Sequence, residues 1–140
     1  MVMHLRERRD NMVGKYGDIV FETSDRRILS FNNFNQSISG RWSGHTLIGK
    51  KERTEFNGPG RRKINFKMTF SATLGIRPRE MLEKLENMVE SGKVDYLVIG
   101  GKAIGENRFA MTSLSETWET VYSGGELARA SVSVTLEEYV

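Results

Sequence analysis

The 140 residues, 38% hydrophobic and 28% charged, amount to one globular domain, and the longest apolar run is far below the ~20 residues that span a bilayer. The absence of cysteine excludes disulfides, thiolate nucleophiles and Cys-based zinc sites, and it suits a reducing cytoplasm. A net charge of +3 invites a nucleic-acid partner, but its distribution is uneven: Lys50, Lys51, Arg53, Arg61, Arg62 and Lys63 cluster in one segment against Glu52 and Glu55, whereas Glu126, Glu137 and Glu138 give the C-terminal end an acidic lean. Opposite-charge ends favour head-to-tail contact between copies at least as well as they favour DNA.

Residues 1–14 show no structural period and lack the apolar centre of a secretion signal, so a flexible N-terminal arm is expected there. Residues 15–140 then read as a single domain. Asp18–Glu22 is a short strand, Ser24–Arg27 a turn and Arg27–Phe31 a second strand, consistent with a hairpin. Asn32–Gln36 predicts a bulge or loop, and Ser37–Trp42 a third strand.

From about residue 43 to 62 the pattern fails. Gly44, Gly49, Gly58, Pro59 and Gly60 punctuate a polar, basic stretch with isolated Leu47, Ile48 and Phe56. A loop of this length inside a compact domain is usually functional, and an extended hairpin that needs a neighbour to bury Phe56 is the alternative. This segment is the leading candidate for an intermolecular contact. The candidate interface residues are Arg41, Trp42, Lys50, Lys51, Arg53, Phe56, Arg61 and Arg62, because Trp and Arg dominate binding hot spots.

Ile64, Phe66, Met68 and Phe70 alternate with polar residues, the two-residue period of a half-buried strand. Met81, Leu82, Leu85, Met88 and Val89 follow one face of a helix. Pro78 suits the first helical position, and Gly92 suits a left-handed C-terminal cap, which bounds the helix at residues 78–91. Tyr96–Ile99 is a compact apolar run that predicts a buried strand closed by a turn at Gly100-Gly101. Beyond it, Phe109 and Met111 lie on one parity and Leu114 and Trp118 on the other, which a bulge near Ser113 repairs. Tyr122–Gly125 turns the chain into a closing strand, Ala130–Leu136, with one wet face. About seven strands and one flanking helix give an α+β class, with a mostly antiparallel sheet.

Chemistry is sparse. His4 and His45 have no convergent partners at ligand or proton-transfer spacing. Gly100-Gly101-Lys102 lacks the rest of a phosphate loop and reads as a hairpin turn. Glu116 and Glu119, three apart on a strand, point to opposite faces and cannot form an acid/base pair. No serine sits in a nucleophile elbow. No catalytic residue, metal site or cofactor is therefore expected, and the chain reads as a non-enzyme. Phe31, Phe34 and Trp42 beside basic residues leave a nucleic-acid stacking surface open as an alternative.

Several segments together carry a resemblance: Val13–Phe21, Gly40-Arg41-Trp42, Lys50-Lys51-Glu52 followed by Phe56, Arg62–Phe66 before Met81–Leu85, and the closing strand Arg129–Leu136. In this order they resemble the gpU-like tail proteins of contractile-tailed bacteriophages and related phage-derived bacteriocins. The resemblance implies a tail-tube-like fold, a β-sandwich or barrel with one flanking helix, assembled as a homo-oligomeric ring, a hexamer in such systems. It further implies a structural role at the junction of tail tube and baseplate, with a tail-terminator ring at the opposite end as the alternative. The implied partners are the tail tube protein and the baseplate hub, with sheath and tape-measure proteins as further candidates. Neither a membrane nor a specific nucleic acid is among them, although DNA passes through the channel in a phage. The implied location is the virion tail or bacteriocin particle, assembled in the bacterial host cytoplasm.

Overall fold

The computed structural model describes residues 12–23, 28–29, 31–46 and 48–140. Most of the expected N-terminal arm and the expected turn at Ser24–Arg27 lie outside the described residues. The described chain carries twelve strands, more than the seven or so expected, because several are only two or three residues long. They are β1 (Met12–Tyr16), β2 (Ile19–Thr23), β3 (Ile28–Leu29), β4 (Phe31–Ser37), β5 (Gly40–His45), β6 (Arg53–Pro59), β7 (Lys63–Ser71), β8 (Val94–Asp95), β9 (Leu97–Ile99), β10 (Lys102–Ala103), β11 (Phe109–Val121) and β12 (Leu127–Glu138). One α-helix, α1 (Pro78–Ser91), follows a 3-10 turn at Ala72–Leu74. β1 begins at Met12, so the last residues assigned to a flexible arm are paired strand.

The strands form two five-stranded sheets and a separate hairpin. The first sheet has the order β10-β9-β1-β2-β3 and the second β4-β7-β12-β11-β8, while among the described residues β5 and β6 pair only with each other. All pairings are antiparallel. The α+β sandwich expected from the sequence is the observed architecture.

Alternation dictates which way the second sheet faces. On β7, Ile64, Phe66, Met68 and Phe70 are buried, and on β12 Ala130, Val132, Val134 and Leu136 are buried beside them. A register shift between Met111 and Ser113 brings Leu114 onto the face of Val134 and Trp118 onto that of Ala130. The predicted bulge is thus real, and it re-aims the distal half of β11. The first sheet covers this apolar face at one end with Tyr16, Ile19, Phe21, Leu29 and Leu97. α1 covers it at the other with Met81, Leu82, Leu85 and Met88.

Tyr16 ties the two sheets together, donating its hydroxyl to the Phe109 carbonyl oxygen at 2.7 Å. Phe21 meets Phe31 and Phe66 edge to face, with ring centroids 4.9 and 5.9 Å away. Such pairs add roughly 0.5–1.5 kcal/mol each beyond area burial. The opposite face of the second sheet carries Asn65, Lys67, Ser131, Ser133, Thr135, Ser115 and Thr117, a wet surface of hydroxyls and amides.

The irregularity expected at Asn32–Gln36 is a bulge inside the continuous strand β4, with Asn33 at φ 53° where the register slips. One expectation needs correction. In the Tyr96–Ile99 run only Leu97 is fully buried; Tyr96 is 48% exposed. β9 lies between β1 and the two-residue edge strand β10, which it reaches across the Gly100-Gly101 turn, and only its Leu97–Ile99 face meets the core.

Candidate assembly surfaces

Residues 43–62, expected as a long loop, are mostly the distal part of the β5–β6 hairpin. Gly40 pairs with Pro59, Trp42 with Phe56 and His45 with Arg53. The slip between Arg41 and Trp42 puts the two large aromatics side by side, ring centroids 5.0 Å apart. Both are largely exposed, Trp42 by 63% and Phe56 by 54%. An isolated two-stranded hairpin is marginal in water, and the two strands of this one bury no hydrophobic side chain.

Its geometry is fixed at the base instead. The Gly60 amide donates to the Ser39 carbonyl at 2.8 Å. The Arg61 guanidinium donates twice to the Glu138 carbonyl oxygen, from Nε at 3.0 Å and Nη2 at 2.8 Å. The Arg62 amide donates to Glu138 Oε1 at 3.0 Å, and Asn107 Nδ2 donates to Oε2 at 2.9 Å. Arg62 Nη1 reaches Gln36 Oε1 at 3.0 Å on β4. Glu138 is 91% buried, as its 9% exposure shows, and these donors hold its carboxyl below the ordinary value. The Arg62 amide contributes most to that shift, Asn107 next, and the charges of Arg62 and Arg61 least.

The eight candidate interface residues therefore divide by role. Arg61 and Arg62 are engaged within the subunit as the anchor of the arm. Arg41 sits low on the arm and donates to the Asn57 carbonyl at 3.2 Å. Trp42 and Phe56 form the exposed aromatic pair. Lys50, Lys51 and Arg53 are exposed at and beside the tip. Among the described residues no carboxylate pairs with those three, since Glu55 is taken by His45 at 3.1 Å.

Other exposed features carried little sequence signal. At its ends the first sheet has two-residue strands, β10 and β3, but the second has long open edges. Among the described residues nothing pairs with the outer edge of β4, and β8 covers β11 only at Phe109 and Ala110. An exposed long edge is a template for pairing with another chain. At the far end of the second sheet, Trp118, Val121, Tyr122 and Leu74 are all at least 36% exposed, with the Arg79 guanidinium 5.1 Å over the Trp118 ring. The parity of Trp118 with Leu114 was the one available hint of that second patch.

The remaining sequence candidates do not converge. Glu116 accepts a hydrogen bond from Trp118 Nε1 at 3.2 Å on the helix-side face, whereas Glu119 on the wet face accepts from Arg129 and Ser131, both at 2.7 Å. Gly100-Gly101 is a two-residue hairpin turn with φ 63° and 76°. His4 lies outside the described residues, and among those described no group of three or more His, Cys, Asp or Glu is placed to hold a metal.

None of the curated proteins compared matches this sequence. Among solved structures, a chain from a "Virion of native gene transfer agent (GTA) particle" is similar over 94% of this chain and 92% of its own, at 16% identity and a TM-score of 0.40. The family model described as Phage P2 GpU matches residues 17–140, which takes in every element from β2 to the C-terminus. The chain belongs to the Phage P2 GpU family of phage tail proteins.

Proposed function

We propose that this structural tail protein works as a homo-oligomeric ring, a hexamer, that joins the tail tube to the baseplate during tail assembly. The observation that carries the reading is the second sheet, open among the described residues along β4 on one side and along β11 beyond Ala110 on the other. Two different open edges on one subunit make a heterologous contact, and such a contact repeated about an axis closes into a ring. Closure also removes the edges that would otherwise invite aggregation. The wet face rich in Ser, Thr and Asn then suits a channel or solvent lining. The tube protein and the baseplate hub are the axial neighbours in this reading, with sheath and tape-measure proteins as further candidates. Assembly takes place in the host cytoplasm, ahead of residence in the particle, and the role requires no enzymatic step.

Sedimentation velocity and negative-stain imaging of the purified protein, alone and with tube and hub proteins, test the ring. A chain that stays monomeric in every mixture removes it. Labelling one end of intact tails separates the baseplate junction from a terminator position.

The exposed Trp42–Phe56 pair beside Arg41 also supports a second reading, a basic surface for single-stranded nucleic acid. Its affinity would fall steeply with salt because phosphate contacts release counterions. A titration without salt-sensitive DNA binding eliminates that reading.

A further inference from the structure

The arm has an aromatic face and a cationic tip that are exposed, with nothing covering them among the described residues. The same subunit carries a surface of the opposite chemistry. Between α1 and β11 lies a groove of about 350 Å³ lined by Glu86, Val89, Glu90, Leu114 and Glu116. Val89 and Leu114 form a half-buried apolar floor that rests on the core. The three carboxylates form the rim, and among the described residues no cation pairs with any of them: Arg77 goes to Glu80, and Arg79 to Glu83. The close approach of the Glu116 carboxyl, next slight burial, and then the charges of Glu116, Glu90 and Glu83 lift the Glu86 carboxyl above its usual range.

Placement within the sheet adds a directional argument. The arm continues from β4 through Ile38 and Ser39, at one edge of the second sheet. The groove borders β11, at the opposite edge and three strand positions away, a width of about 14 Å at 4.8 Å per strand. The six residues of β5 give the arm a reach of about 20 Å. A subunit so built presents its arm on one flank and the groove on the other, as a head-to-tail contact requires.

We propose that the arm of each copy docks in the α1–β11 groove of the next copy, with Trp42 and Phe56 over Val89 and Leu114 and with Lys50, Lys51 and Arg53 against Glu86, Glu90 and Glu116. This rests on the ring reading and assigns its lateral contact. Aromatic anchors on an apolar floor inside a charged rim match the usual layout of an interface hot spot. The rim charges set which flank meets which, since like-charged flanks repel.

Charge reversal tests it. Replacing Lys50, Lys51 and Arg53 by Glu, or Glu86, Glu90 and Glu116 by Lys, weakens self-association at least tenfold by sedimentation velocity, at an unchanged circular-dichroism melt. Combining all six reversals in one chain restores assembly. Rings that persist in both triple variants, or a combined variant no better than either, overturn the proposal while leaving the ring intact. Because the chain has no cysteine, Lys51→Cys with Glu90→Cys gives an independent reading on exposed positions that the fold does not need. Oxidation of assembled rings yields a disulfide ladder with the double variant and none with either single one. Rings without a ladder overturn the docking, as does an arm protected from protease only when a different tail protein is added. A wild-type chain that never self-associates, even with tube and hub present, fails earlier and removes the ring together with its lateral contact.

Discussion

Glu138 is the residue at which the arm, the closing strand and the body meet. Its carboxylate accepts the Arg62 amide and the Asn107 side chain, while its carbonyl accepts Arg61. A carboxyl held below its unfolded value stabilises the fold above about pH 4.3, and that contribution is lost as pH falls through the lower folded value. Glu138→Gln is expected to cost on the order of 1–3 kcal/mol at pH 7 and to flatten the fall in melting temperature below pH 4. A variant that melts like the wild type at both pH values would show the anchor to be energetically idle. Tyr16 behaves in the opposite sense. Burial, and next the charge of Asp95, push its hydroxyl up to about 12. A phenol kept neutral in the fold stabilises fully below its unfolded value near 10, and stability falls as pH rises from there towards about 12. Tyr16→Phe removes that alkaline loss at the cost of the bond to Phe109, about 1 kcal/mol. Urea titrations at pH 7 and 11 check both the cost and its disappearance.

At the scale of elements, α1 is the part most dependent on ordinary packing. Its buried stripe of Met81, Leu82, Leu85 and Met88 closes one end of the core, and Leu85 is fully buried. Leu85→Ala should destabilise by about 2–5 kcal/mol, read as a lower urea midpoint with an unchanged slope; a loss below about 1 kcal/mol would mean that the site collapses around the missing atoms. The helix was legible in the sequence from end to end because both of its boundaries are set by local backbone chemistry. Pro78 has no amide to leave unsatisfied, and Gly92 adopts φ 67° while its amide caps the carbonyls of Met88 and Val89. The bulge at Ser113 was legible for a similar reason, since a parity change needs only nearby residues to be seen. Sheet order was not legible. β4 pairs with β7 across the intervening β5–β6 hairpin and β1 with β9 across most of the chain, and alternation says which face is buried but not which strand lies alongside. The arm was half legible. Glycine spacing and isolated aromatics marked Trp42 and Phe56 as unusual, but the Arg61–Glu138 clamp joins residues 77 apart in the chain. No local pattern reveals that two of the eight candidate interface residues are held inside their own subunit.

For the whole molecule, the fold separates what stabilises the subunit from what is left over for assembly. Among the described residues, the sandwich core, α1 and the aromatic cluster need nothing from the arm, whose aromatic pair is exposed and whose strands pair only with each other. Replacing residues 41–58 with a short Gly-Ser turn between Gly40 and Pro59 keeps the Ser39–Gly60 bond and the Arg61–Glu138 anchor. Such a chain should melt within a few degrees of the parent, since 1 kcal/mol moves the midpoint of a domain near this size by about 2–8 °C. It should nevertheless fail to self-associate, because the aromatic pair and the three unpaired cations leave together. If it melts far lower, the arm contributes to the core in a way its exposure denies. If it melts normally and still forms rings, the open edges of β4 and β11 suffice for closure, and the arm must serve an axial neighbour instead. Only the combination of an intact melt with lost assembly fits a hairpin that the subunit builds for use by its neighbour.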